Sequence, residues 1–232
     1  MANILDYLDW RGDLTLAASP FNEVDALLLA ELSFIEFEGI VPPPELGRGL
    51  RLRDAAHSYF ARRKNHSGDM GALVPGDIPA MLRAMAESRR FGDMPVNAFE
   101  ERIDEALEQQ FAAVTLDLGD GTVYVSFRGT DDTLVGWKEN LNMSFLAEVP
   151  AQERAVRYLE RIARQYPDRF LRVGGHSKGG NLALYAAAAC RPEVRQLISR
   201  VISFDGPGVC AEIRDTEGYR EIESRVASYI PE

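Results

Sequence analysis

The sequence predicts an α/β fold with parallel strands in its sheet, and three observations carry that expectation. Beyond about residue 150, helical and strand-like stretches alternate, as in parallel strands joined by helical crossovers. Earlier, Gly119-Asp120-Gly121 separates two apolar runs, 112–118 and 122–127. A tight turn needs residues that accept positive φ, so this reads as a hairpin. Finally, a glycine-rich turn joins a strand at 170–173 to an alanine-rich helix at 179–190.

The first hundred residues read as helical. Asn22 caps an apolar run reaching Phe37, with Asp25 three residues on, and Gly39 and Pro42-Pro43-Pro44 stop it. A second helix fits 50–63 and a polar loop 64–71. Asp77 caps a third, with Pro79 in its first turn. A fourth, rich in Glu and Gln, is expected over 97–110. After the hairpin, 141–145 is ambiguous between helix and strand. Pro150 opens a helix that Pro167 ends, and Pro192 starts a short one. Strands follow at 201–204 and 226–230, with two short helical stretches between them. The expected organisation is one domain, 1–232, helical to about residue 110 and sheet-based from about 111. The helical part serves as a cap or as a layer on the sheet.

Composition narrows the function. The formal charge is 26 − 36 = −10, which does not suggest a nucleic-acid or anionic-membrane binder. Two cysteines, Cys190 and Cys210, with no Cys-x-x-Cys, argue against a disulfide framework or a Cys-based zinc site. The start, MANILDYLDWRGD, is acidic where a signal peptide is basic. No apolar run reaches the ~18 residues of a membrane span. A soluble cytoplasmic chain is expected, with no integral membrane segment, cofactor or metal. Asp131-Asp132 with Glu139 matches no standard metal loop and reads as a solvated turn. The basic run Arg51, Arg53, Arg62, Arg63, Lys64 reads as a solvated helix face, and Trp10-Arg11-Gly12-Asp13 as a structural turn.

The sharpest motif is Gly175-His176-Ser177-Lys178-Gly179, a Gly-x-Ser-x-Gly. In a nucleophile elbow, the serine sits on a strained strand-to-helix turn that lifts its hydroxyl clear of the sheet. Its neighbours must be small so that helix and backbone approach closely. The next backbone N–H lies at a helix N-terminus, where it faces a developing oxyanion. The bare pattern arises by chance in roughly one chain in ten of this length, so its context carries the weight. An apolar strand precedes it and an unbroken Ala/Leu helix follows. Ser-Lys-Gly is the wrong order for a phosphate-binding Walker loop. Ser177 is therefore the candidate nucleophile, with Lys178 supplying an oxyanion N–H.

A second constellation, Phe127-Arg128-Gly129-Thr130-Asp131-Asp132 followed by Trp137, lies between a strand and a helical stretch. An oxyanion hole needs a second donor from a loop beside the elbow, and Thr130 offers an N–H and a hydroxyl together.

These two stretches, FRGT-x6-W and GHSKGGN, resemble the class 3 lipase branch of the α/β-hydrolases. The chain from 3 to 232 resembles more closely the bacterial Mbeg-like family, through DYLDWRGD, PFNEVDALLLAELSF, FRGTDDTLVGWKENLNMSF, GHSKGGNLALYAA and FDGPG. The resemblance implies an α/β-hydrolase core with a helical N-terminal elaboration. It also implies Ser177 as nucleophile, Thr130 as the oxyanion-loop residue and Lys178 as the other oxyanion donor. Lipases of this class usually carry a hydrophobic residue after the serine, so Lys178 is a departure. It is a candidate contact for an anionic substrate group.

A serine nucleophile needs a base and the base an orienting acid, in the chain order Ser, acid, His for this fold. No histidine follows Ser177. His176 adjoins the nucleophile and cannot swing round to it, so packing beside the oxyanion loop is its expected role. His57 and His66 lie in the helical part and fit only a non-standard order. Lys178 fails as the base of a Ser-Lys dyad, because adjacent helical side chains diverge by about 100°. Asp205, at a strand's C-terminal end, is one candidate acid. By resemblance the acid follows the next strand, 226–230, which leaves Glu232 as the other. A chain ending before its base and acid is the expectation.

The sequence thus points to a serine hydrolase acting on a small-molecule or lipid-like ester or thioester through a Ser177 acyl-enzyme. The alternatives are a non-catalytic binding or scaffold protein on a hydrolase fold, and an acyl transferase.

Overall fold

The computed structural model describes residues 3–47, 49–63, 78–131, 133–143 and 148–230. The expected loop at 64–71, the cap Asp77, and Lys64, His66, Asp132 and Glu232 lie outside them.

Seven strands form one sheet in sequential order. Helix α1 (Ile4–Arg11) and α2 (Glu23–Leu32) precede β1 (Leu50–Arg51), α3 (Leu52–Arg63) and α4 (Ile78–Glu87). Then come β2 (Pro95–Asp104), β3 (Gln109–Asp117) and β4 (Thr122–Phe127). Helix α5 (Leu134–Asn142) and α6 (Pro150–Gln165) lead to β5 (Phe170–His176), α7 (Lys178–Ala189), α8 (Pro192–Leu197) and β6 (Ile198–Phe204). Short helices α9 (Ala211–Arg214) and α10 (Glu217–Ile222) precede β7 (Val226–Tyr229). The fold is α/β in class, one mixed sheet flanked by helices. Strands β1 to β4 pair antiparallel, and β4 to β7 pair parallel. The parallel character is confined to the half reached by helical crossovers.

A parallel sheet must be covered on both faces. The crossover helices α6 and α7 pack on one face only, against β3, β4, β5 and β6. The N-terminal helices cover the other, so the helical part is a layer of the sheet and not a cap. Strand alternation shows the division. Val123, Val125 and Phe127 join the crossover-side core, while Tyr124 joins the N-terminal-side core with Leu28, Leu29 and Leu32 of α2. The hydroxyls of Tyr124 and Ser126 donate to the Ala26 and Leu29 carbonyls at 3.1 and 2.8 Å, fixing α2 on β4. A fully buried Asp25–Arg90 ion pair holds this layer together, with Arg90 also donating to the Leu14 and Ser19 carbonyls.

Most elements match their sequence signals. The Asn22–Asp25 capping box opens α2, and Gly119 and Gly121 take φ of +72° and +90° in the β3–β4 turn. The expected helix at 97–110 is instead β2 and the start of β3. Its Glu-rich stretch looks like a solvated helix because the partners of its charges are remote. Glu100 pairs with Arg154 and Arg161 of α6, and Glu101 with Arg128. The basic run is also partnered: Arg53 pairs with Asp93 at 3.1 Å, and Arg62 donates to the Glu38 and Gly39 carbonyls. Within 10–13, Trp10 and Arg11 end α1 and Gly12 caps it, as a structural turn should.

Candidate active site

The C-terminal ends of β4 to β7 lie in a row, Phe127, Gly175–His176, Phe204 and Tyr229 in register. In open α/β sheets this rim is where ligands bind. Ser177 stands on it between β5 and α7, with φ +54° and ψ −125°. That conformation is sparsely populated for a residue with a Cβ and persists only when its surroundings impose it. Here they do. The Ser177 N–H donates to the Phe204 carbonyl at 2.8 Å, and its carbonyl accepts from Gly180 N–H at 2.9 Å. A Cβ on Gly175 would lie 2.5 Å from both the Phe127 oxygen and the Gly179 carbonyl carbon. A Cβ on Gly179 would fall far inside 3.0 Å of the Phe127 oxygen. The two motif glycines thus let α7 start directly against β4 and β5. The Lys178 N–H, at the first position of α7, has no hydrogen-bond partner among the described residues.

The loop after β4 lies against this turn. A Cβ at Gly129 would sit 2.8 Å from the His176 oxygen and 3.5 Å from Ser177 Cβ. Arg128 is buried and anchors the loop upstream, donating to the Ser33 carbonyl at 2.6 Å and pairing with Glu101. Downstream, Asp131 accepts from the Thr133 N–H at 3.0 Å, and Thr133 caps α5 through Gly136. Between these anchors the Thr130 hydroxyl oxygen is buried with no hydrogen-bond partner among the described residues. A buried unpaired hydroxyl costs about 1–3 kcal/mol. Trp137 lies half exposed on α5.

The Lys178 side chain corrects one expectation. It does not reach an anionic substrate group, because it is fully buried beneath the turn. Its ammonium donates to the Gln110 carbonyl (2.7 Å), Gln110 Oε1 (2.5 Å) and Glu139 Oε2 (2.9 Å). Burial pushes its pKa down, and the Glu139 carboxylate opposes that shift. With all three protons donated, it offers no lone pair to Ser177. Glu139 is correspondingly no member of a solvated turn: it is buried in this pair. Among the described residues no cluster of three or more His, Cys, Asp or Glu could hold a metal.

His176 faces the α2 side of the sheet. Its Nδ1 lies 2.9 Å from Oε1 of buried Glu31, a close charge contact without the alignment of a hydrogen bond. The Glu31 carboxylate is the chief cause of a raised His176 pKa; burial opposes it and Asp205 adds to it. Since the folded value lies above the unfolded one, the pair's stabilisation is complete below about pH 6.5. It is lost as pH rises through the raised value. An NMR titration is expected to place the His176 midpoint above 6.5, with Glu31→Gln lowering it. The stability gap between the two proteins should shrink across the same window. A midpoint unmoved by Glu31→Gln would remove the pair from the account.

Asp205 takes φ +49° and is exposed at the end of β6, its N–H donating to the Tyr229 carbonyl at 2.7 Å. With His176, Phe204, Tyr229, Ile230 and the α2 residues Glu23, Val24 and Leu27 it lines a cavity of about 390 Å³. That cavity adjoins the residue before Ser177. His57 is exposed on α3, whose main neighbours are α4, β1 and β2. Among the described residues none hydrogen-bonds to the Ser177 hydroxyl. Three further groups tie the site together through tertiary partners that no local pattern shows. They are Glu31, Glu139, and Asn181, which accepts from Gln152 at 2.9 Å and donates to the Gly208 carbonyl.

A seven-stranded mixed sheet with a strained serine at a strand-to-helix turn on its C-terminal rim defines a protein of the α/β class. Residues 85–232 match the Mbeg1-like family, and the chain belongs to that family. Among solved structures it is similar to a fungal lipase in an inhibitor complex, described as a model for interfacial activation in lipases. Sequence identity there is 15%, the TM-score is 0.47, and the match covers 78% of this chain and 69% of the lipase chain. No curated protein matches. No helix among the described residues is long and apolar enough to cross a membrane.

Proposed function

We propose that residues 1–232 act as one domain of a cytoplasmic serine hydrolase of the lipase/esterase type. The observation that carries this reading is the Ser177 backbone, held at φ +54° between β5 and α7 with the Lys178 N–H unused beside it. In the reaction, Ser177 Oγ attacks the carbonyl carbon of an ester or thioester and its proton passes to a base. The carbonyl oxygen becomes an oxyanion, received by the Lys178 N–H and by the Thr130 N–H or hydroxyl. Each such donor contributes about 3 kcal/mol. Collapse expels the alcohol or thiol, which takes up a proton, and leaves an acyl-Ser177. Water then attacks the acyl carbon, returning the serine and releasing the acid. The cavity beside His176 offers apolar room for part of the substrate. The base is a group outside the described residues, and the acid is Asp205, Glu232 or another such group.

A non-catalytic binding protein on the same fold is the second reading. It is favoured by one observation: among the described residues no imidazole meets the Ser177 hydroxyl. Hydrolysis of short-chain nitrophenyl esters by the native full-length protein separates the two. Turnover that falls by at least about 10³-fold in Ser177→Ala supports the hydrolase. Turnover absent from both supports the binder, and turnover equal in both removes Ser177 from the reaction.

A further inference from the structure

Glu139 and Lys178 meet across 39 residues in a closed buried network. Each of the three ammonium protons has its acceptor. The Glu139 carboxylate in turn accepts from the Gln110 N–H and the Ala151 N–H, both at 3.0 Å. Both side chains are fully buried. An ion pair in such a place adds little stability that a well-packed apolar pair would not. What it does add is a fixed geometry between the elements that carry it: β3 at Gln110, α5 at Glu139, α6 at Ala151 and α7 at Lys178. Two of these elements bear directly on the rim. Helix α7 starts with the Lys178 N–H, and α5 is entered from the loop that carries Thr130. That loop is held upstream by Arg128, and downstream Thr133 caps α5, whose buried Glu139 ties the helix to β3, α6 and α7.

We propose that the Lys178 side chain and Glu139 are positioning residues that set the distance between the two oxyanion donors. The inference rests on the hydrolase reading given above. One residue then serves twice, its backbone N–H as a donor and its side chain as the tether for the helix behind the other donor. This also accounts for a lysine after the serine: the side chain turns under α7 instead of toward the substrate.

The test compares the native full-length protein with Lys178→Met/Glu139→Leu, which removes both charges together and strands neither. A fluorophosphonate probe gives the maximal inactivation rate and the half-saturating concentration separately, normalised to folded protein by circular dichroism. Loss of positioning is expected to lower the maximal rate by at least about tenfold, since a 1 Å misplacement costs up to about 10²-fold. The half-saturating concentration should stay within about twofold, because ground-state binding is untouched. Folded double variant reacting at the native rate overturns the proposal. Should that variant not fold, Gln110→Met removes one of the three ammonium acceptors and replaces it in the test. About threefold slower labelling supports the tether, and an unchanged rate overturns it. If the native protein itself does not label, the hydrolase reading fails, and this inference with it; labelling of the native protein alone isolates the tether.

Discussion

Gly179→Ala is expected to destabilise the protein by about 2 kcal/mol, although local preference alone says the opposite. Alanine in a helix is favoured over glycine by about 1 kcal/mol. Against that stands the space. The new Cβ would fall far inside 3.0 Å of the Phe127 carbonyl oxygen, with the Phe127 and Arg128 carbonyl carbons at 3.0 and 3.1 Å. All three are backbone atoms of β4 and its loop, and none can rotate away as a side chain tip would. Overpacking of this kind costs about 3 kcal/mol at the upper end of its usual range, so the contact wins. For a chain of this size the net loss corresponds to a Tm lower by about 4–8 °C. Gly208→Ala is the control: φ there is +75° and no atom lies within 4 Å, so only a backbone cost of about 1 kcal/mol applies. Denaturant unfolding of both variants checks the comparison. Equal effects would mean that α7 does not start as close to β4 as described.

Thr130→Val is expected to separate activity from stability. Valine keeps the shape of threonine and removes only a hydroxyl that is buried without a partner among the described residues. Deleting an unpaired polar group is neutral or stabilising by about 1 kcal/mol. If that hydroxyl is held for an oxyanion, the same change lowers ester turnover by about 10²-fold, the cost of one oxyanion donor. The Thr130 N–H remains, so activity is reduced and not abolished. Thermal unfolding and ester hydrolysis of the same preparations give both numbers. A variant as active as the native protein would leave the N–H as the only donor from this loop.

Much of the rim was legible because its signals are local. The spacing of Gly175, Ser177 and Gly179 encodes a close approach, and Gly119-Asp120-Gly121 encodes a turn. Both stand where the sequence puts them. The strand at 95–104 was hidden because its glutamates find remote arginines, Glu100 on α6 more than fifty residues on and Glu101 at Arg128 in the loop after β4. The same distance conceals the groups that hold the site. Glu31 meets His176 across the sheet face, and the Lys178 side chain reads as a contact for an anionic substrate group until Gln110 and Glu139 are folded around it. Charges are legible in a sequence as exposed by default, and only tertiary pairing shows which ones are buried.

The most direct test of the central claim is peptide mass mapping of the native full-length protein after reaction with a fluorophosphonate. A single covalent adduct on Ser177 is expected, absent after heat denaturation and absent in Ser177→Ala. An adduct on a different residue, or none while a reference esterase labels fully under the same conditions, would contradict it.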